Sequence, residues 1–385
     1  MILTPAEQLR YFRKQQNQVL DTIQQLVEIE SPSDVKAAVD RLGTVLSSRF
    51  GELGGKVRVH RGEKFGNHLE IRLRSASGRG AKPVLLLGHM DTVYPIGTIS
   101  KMPFRLTKER VYGPGVLDMK AGIAIILHVI EALLTWGGGK LPRPVIVFLV
   151  SDEEVGSQSS RRITEKLARD SRAVLVLEPA AGLNGGLKTS RKGIGEYELR
   201  VSGKAAHSGL DFEKGQSAVL ELAHQILEIS KLVDTRHGVT VNVGKISGGT
   251  RSNVVPAEAK ASIDVRVTSK RDAAEIDRKL QQLRPLNPHC KLKLTGGTNR
   301  PPMERLQPVA TLFGRATQIA HELGWKLEEA AVGGGSDGNF TAALGIATLD
   351  GLGAVGEGAH AEHESIFISE LPRRAALLAN LIASL

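Results

Sequence analysis

The strongest constraint on the fold is a set of three uninterrupted apolar runs: "PVLLLGH" at 83–89, "PVIVFLVS" at 144–151 and "AVLVLEP" at 173–179. Each has the length of a strand and is apolar at successive rather than alternate positions, the pattern of a strand buried on both faces. Helical periodicity fills 119–136 and 158–169 between them. Buried strands separated by helices predict an α/β domain, a mainly parallel sheet with helices on both faces. In such sheets ligands bind beyond the carboxyl ends of the strands. All three runs end in polar clusters: Gly88-His89-Met90-Asp91, Ser151-Asp152-Glu153-Glu154 and Glu178-Pro179. An extended His89-Met90-Asp91 points both polar side chains the same way. That geometry suits a metal-binding histidine with a carboxylate to orient it.

The remaining pattern separates two textures. Amphipathic helices are predicted at 16–30 and 34–49, followed by the alternating strands "KVRVH" and "HLEIRL". From about 193 the order is strand, helix, strand, strand, helix, strand, ending at "KLKLTG". That order predicts a small α+β sandwich with an antiparallel sheet. Helices return at 308–323 and 371–384, with a short apolar strand near "GIATLDG". The expected organisation is one domain over 1–192 and 302–385, interrupted by an inserted domain over 193–301.

Composition narrows the classes. The 385 residues carry a formal charge of +10, but Lys and Arg are scattered singly, so nucleic-acid binding rests on net charge alone. Cys290 is the only cysteine, which excludes an internal disulfide and a thiolate metal site and fits a reducing compartment. The first twenty residues carry charges throughout and contain no apolar stretch typical of a signal peptide. "AGIAIILHVIEALLTW" is interrupted by His128 and Glu131 and is too short to cross a bilayer. A cytoplasmic protein without membrane contact is expected.

In chain order the candidate ligands are His89, Asp91, Asp118 in "YGPGVLDMKAG", Glu153, Glu154, Glu178 and His360 in "GEGAHAEHES". Imidazoles and carboxylates suit zinc, cobalt or manganese, and one carboxylate bridging two ions would make a dinuclear site. Adjacent Glu153 and Glu154, bent toward one pocket, would repel unless a cation sat between them. One could bind metal while the other takes a proton from water. Taken singly, each feature has a plainer explanation. "DEE" alone reads as solvated loop charge, His128 and His224 as helix-face residues, and Gly113, Gly115 and Gly122 as turn chemistry. It is their placement at the ends of successive apolar strands that argues for a site.

The stretches "GHMDTVYP", "GPGVLDMKAG", "SDEEVGS", "LEP", "GKAAHSG", "GGTRSNVVPAEAKASIDVR", "GGGSDGNF" and "GEGAHAEHES" run from residue 84 to the end. In that order they resemble the aminoacylase–carboxypeptidase family of dinuclear zinc hydrolases, with the glutamate carboxypeptidase branch nearest. The resemblance implies that Asp118 bridges two divalent ions, most simply zinc. His89 and Glu178 would complete one site, and Glu154 and His360 the other. It further implies Asp91 as the group orienting His89, Glu153 as general acid/base, and a cis peptide bond after Asp118. The pattern His-x-x-x-Glu selects His360, paired with Glu364, over His363. His207 would stabilise the oxyanion in a partner's active site, with the inserted domain serving as lid and dimerisation surface. Asn253, Arg266, Gly334, Gly335, Ser336 and, less directly, Arg300 would line the substrate side and hold its carboxylate.

The activity implied by this resemblance is hydrolysis of the amide bond in an N-acyl amino acid or short peptide bearing a free carboxylate. The alternative within enzymes is a deacylase of acetyl- or succinyl-diamino acids. A non-catalytic metal- or ligand-binding protein on the same fold is disfavoured by the intact Glu153 and the full donor set, whereas a structural dimer with no site predicts no stoichiometric metal.

Overall fold

A computed structural model describes residues 3–75 and 80–385. The chain forms two compact units. The first comprises Met1–Ser190, Arg305–Val332 and Ser336–Leu385; the second comprises Arg191–Glu304 with Gly333–Gly335.

In the first unit a six-stranded sheet runs in the order Lys56–His60, His68–Leu73, Val145–Val150, Val84–His89, Ala173–Val176, Thr348–Leu349. The last four strands are mutually parallel, and His68–Leu73 pairs antiparallel with both Val145–Val150 and Lys56–His60. Every residue of Val84–His89 and of Val145–Val150 is buried. Alternation explains why both faces had to be apolar. Val84 and Leu86 enter one core, with helices Gln16–Glu28, Lys36–Glu52, Ala121–Trp136 and Leu371–Ser384, whereas Leu85 and Leu87 enter a second core with Leu167 and Ala168 of the Arg161–Arg169 helix. Full burial of one such leucine contributes roughly 1.5–3 kcal/mol. The Ala121–Trp136 helix packs close to the sheet, and Gly122 makes this possible. A Cβ there would lie 2.3 Å from the Leu177 carbonyl oxygen.

A helix at Pro5–Lys14 precedes the predicted ones. Thr4 and Glu7 cap it reciprocally and proline opens its first turn, a signal present in "TPAEQL". A small sheet orders Gly356–Glu357, Ser365–Phe367, Arg110–Tyr112 and Arg105–Leu106. It pairs Ser365 with Tyr112 and so brings the segment before Ser365 beside the glycine-rich turn that follows Tyr112.

The second unit orders its strands Thr240–Gly248, Glu258–Val267, Gly193–Ser202, Lys291–Arg300, all antiparallel. Glu258–Val267 alternates exposed and buried residues along most of its length, as expected of a sheet covered on one face. Helices Ala218–Ser230 and Lys270–Gln281 supply that cover, and Cys290 lies buried in the same core. The element order is the one expected from the sequence. Among the described residues no helix is long and apolar enough to cross a membrane.

Candidate metal centre

Parallel neighbours bring the carboxyl ends of Val84–His89, Val145–Val150 and Ala173–Val176 to one edge of the sheet. His89 is the last residue of its strand, Glu153 and Glu154 lie in the turn after the second, and Glu178 lies two residues past the third. Asp118 arrives from the turn leading into the Ala121–Trp136 helix, and its peptide bond to Met119 is cis. His360 arrives from the loop between the Gly356–Glu357 and Ser365–Phe367 strands.

Two donor sets result, and both contain Asp118. His89, Asp118 and Glu178 offer ligand atoms within 4.8 Å of one another, as do Asp118, Glu154 and His360. Asp118 Oδ1 lies 3.0 Å from His89 Nε2, and Oδ2 lies 3.4 Å from His360 Nε2. Glu178 Oε1 is 3.4 Å from His89 Nε2, and Glu154 Oε2 is 3.3 Å from His360 Nε2. His363 is turned instead toward Gly358, where a Cβ would lie 2.9 Å from its ring.

Charge decides what this arrangement can hold. Three carboxylates lie against two imidazoles, His89 buried and His360 half-exposed, and Glu154 Oε1 is buried with no hydrogen-bond partner. Burial alone would push the His89 imidazole down, but Asp118 and Glu178 outweigh it and lift His89 well above the ordinary histidine range. Asp118 and Glu154 likewise raise His360 to about 10. Burial would raise Asp118, but His360 and His89 hold it well below the usual carboxylate range. The pocket therefore demands positive charge. Imidazole and carboxylate donors in two sets of three, with an orphaned carboxylate oxygen, fit divalent cations. Ligation takes the neutral imidazoles, so cations would displace protons.

Surrounding groups fix the donors. His89 Nδ1 donates to the backbone carbonyl of Asp91 at 2.9 Å, while the Asp91 carboxylate is 3.6 Å away. The ring is therefore oriented chiefly by the Asp91 main chain. The Asp91 carboxylate accepts the Ser33 hydroxyl at 2.7 Å and the backbone N–H groups of Glu153 and Glu154, each at 3.3 Å. Burial pushes its pKa up to about 6. It thus ties the Glu153-Glu154 turn to the end of the Val84–His89 strand. Glu153 itself is half-buried beside Glu154.

The substrate-side candidates lie elsewhere in the chain. His207, Asn253, Arg266, Arg300, Gly334 and Gly335 belong to the second unit and Ser336 to the first. His207 pairs with Val254, and the Asn253 carbonyl accepts the Ser208 N–H, so these two candidates are neighbours. Arg266 grips Asp264 through Nε and Nη2, each at 2.9 Å. Arg300 is buried and its Cδ lies against Gly335, while Arg191 donates to the carbonyls of Gly334 and Gly335. Ser336 is fully buried, donates its hydroxyl to Asp350 and accepts the Gly338 N–H. Sequence reasoning missed Ser33 and Tyr94 because no local spacing relates them to the ligands.

The parallel-sheet edge and the paired histidine–carboxylate sets define a metal-dependent hydrolase. More particularly, the chain belongs to peptidase family M20/M25/M40, which it matches over residues 85–384. It is 31% identical over 379 residues to carboxypeptidase G2 of Pseudomonas sp. (strain RS-16), covering 96% of this chain and 90% of that one. It is 28% identical over 333 residues to acetylornithine deacetylase of Erwinia tasmaniensis, covering 78% and 84%. In structure it resembles aminopeptidase PepT from Bacillus cereus, with a TM-score of 0.77, 21% identity and coverage of 96% and 98%. It also resembles the M20 metallo-carboxypeptidase Sso-CP2 from Sulfolobus solfataricus, with a TM-score of 0.72, 19% identity and coverage of 95% and 98%. These two likenesses concern the fold.

Proposed function

We propose that the protein is a two-zinc carboxypeptidase that releases a C-terminal amino acid, glutamate being the first candidate, from an acyl or peptidyl conjugate. The observation that carries the reading is Asp118, whose two oxygens face two separate donor sets. Bound at those sets, the ions would supply Lewis acidity toward the scissile carbonyl and a water that ionises near neutral pH. Glu153 takes the proton of the attacking water and hands it to the leaving amine. Asp91 holds the Glu153-Glu154 turn through two backbone N–H groups.

His207 is proposed to steady the developing oxyanion. Its Nδ1 accepts the N–H groups of Gly209 and Leu210, which leaves the proton on Nε2 as a donor. The second unit serves as lid, and the substrate carboxylate is assigned to Asn253, Arg266, Arg300 and the Gly334-Gly335-Ser336 segment. Asp264 would have to share Arg266 with it. Dimerisation through this unit is supported by the edge strand Thr240–Gly248, where Ile246 is 65% exposed, and by Leu220 and Leu227 on the Ala218–Ser230 helix, 60% and 62% exposed. Cytoplasmic residence is proposed from the lone, buried Cys290.

Likeness to an acetylornithine deacetylase supports a second reading, removal of an acyl group from a diamino acid. The test is amino-acid release by zinc-reconstituted protein from acyl-amino acids, dipeptides and C-terminal glutamate conjugates. Selective release of glutamate or aspartate is expected. Cleavage confined to acetyl- or succinyl-diamino acids would replace the carboxypeptidase reading with the deacylase one.

A further inference from the structure

We propose that Glu364 is a positioning residue that assembles the Asp118–Glu154–His360 donor set by tying the His360 loop to the turn carrying Asp118. This rests on the reading of the metal centre as two donor sets. Glu364 is fully buried. Its Oε1 accepts the backbone N–H of Leu117 at 2.8 Å and of Asp118 at 2.9 Å. Its Oε2 accepts the backbone N–H of Gly115 at 2.9 Å and the Tyr94 hydroxyl at 2.6 Å. An ionised carboxylate has about four acceptor sites, and all are taken. Glu364 is therefore a buried carboxylate beside the donor sets that has no lone pair left for a metal. Its charge is directed at the backbone that presents Asp118.

The same residue closes the His360 loop. The Glu364 N–H donates to the Ala361 carbonyl, and its own carbonyl accepts the Gly113 N–H. Within this loop Gly358 has φ +81° and His360 has φ +65°. Left-handed backbone is unfavourable for a histidine and persists where the surroundings over-determine it. At Gly358 a Cβ would also lie 3.0 Å from the Glu364 amide nitrogen. Tyr94 adds a third strut, its hydroxyl lying 3.1 Å from the Ala361 carbonyl oxygen.

The two donor sets depend on this anchor unequally. Asp118 belongs to both sets, but its partners in the first, His89 and Glu178, are placed by the ends of buried parallel strands rather than by Glu364. Asp118 and His360 hang on a turn and a loop that meet at its carboxylate. Loss of the anchor should therefore weaken the second ion far more than the first.

The test is zinc titration of the full-length, metal-stripped protein and of Glu364→Gln, followed calorimetrically, with the cobalt(II) absorption spectrum and kcat and KM measured in parallel. The wild type should take up two ions. Glu364→Gln should bind its first ion within about threefold of wild type and its second at least about tenfold more weakly, in the range typical for loss of outer-shell support. Its kcat should fall at limiting zinc with KM nearly unchanged, and excess zinc should restore part of it. A residue that merely stabilised the fold would lower the melting temperature without separating the two ions. Two ions bound by Glu364→Gln at wild-type affinity, or equal weakening of both, would overturn the proposal. If Glu364→Gln does not fold, Tyr94→Phe decides. A second ion weakened about threefold or more upholds the proposal, and wild-type binding of both overturns it. A wild-type chain that binds fewer than two ions overturns the two-set reading and this inference together.

Discussion

The Ser33 hydroxyl donates to the Asp91 carboxylate at 2.7 Å across 58 positions of sequence, with both groups buried. Ser33 stands outside the matched family region, which begins at residue 85, yet it holds the carboxylate that anchors the Glu153-Glu154 turn. Pro32 forms a parallel bridge with Thr92 beside it, so the backbone there is secured independently of the hydroxyl. Ser33→Ala should therefore leave the fold intact and lower kcat by roughly tenfold to a hundredfold, the cost typical of removing an outer support. Steady-state kinetics with a melting curve checks this, and an unchanged kcat would count against the role.

Asp118 is the single residue common to both donor sets. Asp118→Asn keeps the size but replaces one carboxylate oxygen by an NH2 group that cannot coordinate a cation and removes the charge. Bound zinc, read by elemental analysis after desalting, should fall from two ions to one or none per chain, and activity should drop by at least about 10³-fold, as expected when metal-assisted catalysis is lost. Two retained ions would show that the bridging assignment is mistaken.

Glu153 is predicted to behave oppositely. Its neighbour Glu154 belongs to a donor set, whereas Glu153 does not. Glu153→Ala should abolish turnover by roughly 10²–10⁴-fold, the range for a lost proton-transfer group, with zinc stoichiometry preserved. Near-normal turnover would assign the proton transfer to another group.

These residues differ in how far the sequence revealed them. His89 and Glu178 were legible because a strand buried on both faces announces itself as an apolar run, and its polar end then stands out. Asp118 and His360 were candidates by residue type, but their assignment to particular sites came only from motif resemblance, since their placement depends on pairing between Tyr112 and Ser365 across the chain. Ser33 and Tyr94 act through single side-chain contacts that leave no periodic trace. The engagement of Arg266 by Asp264 follows from period-two alternation, which puts residues two apart on one face. Nothing in the local pattern of "ELPRRAALLANL" marks Arg374, yet it is 2% exposed.

That burial carries a prediction of its own. The Arg374 guanidinium donates to the carbonyls of Gly353 and Gly185, each at 2.9 Å, and to that of Gly351. The Gly353 N–H in turn donates to the Glu178 carbonyl. Arg374→Leu would strand three buried carbonyls, each costing roughly 1–3 kcal/mol when left without a donor. Partial relaxation would bring the total to about 3–5 kcal/mol. Urea unfolding should show a loss of that size, and Arg374→Lys should recover only part of it. A loss below about 1 kcal/mol would mean that water replaces the guanidinium.

His128 gives the fold a pH dependence separate from the metal centre. It is 6% exposed, with Nε2 paired to the Thr22 hydroxyl at 2.9 Å. Burial, reinforced by the Arg49 charge, lowers its pKa from the ordinary 6.5 to about 4, although Glu131 Oε2 lies 3.4 Å from Nδ1. Because the folded value is depressed, the unfolded chain binds more protons than the folded one between about pH 6.5 and pH 4. The associated stability is fully present above about pH 6.5 and is lost as pH falls through that window. By about pH 5 the loss from this one group should reach about 2 kcal/mol. His128→Gln cannot titrate and should unfold with a shallower pH dependence, the difference from wild type growing from about pH 7.5 to about pH 5. Urea midpoints of both proteins at those two pH values measure this directly, and parallel pH profiles would show that the imidazole is already protonated in the folded state.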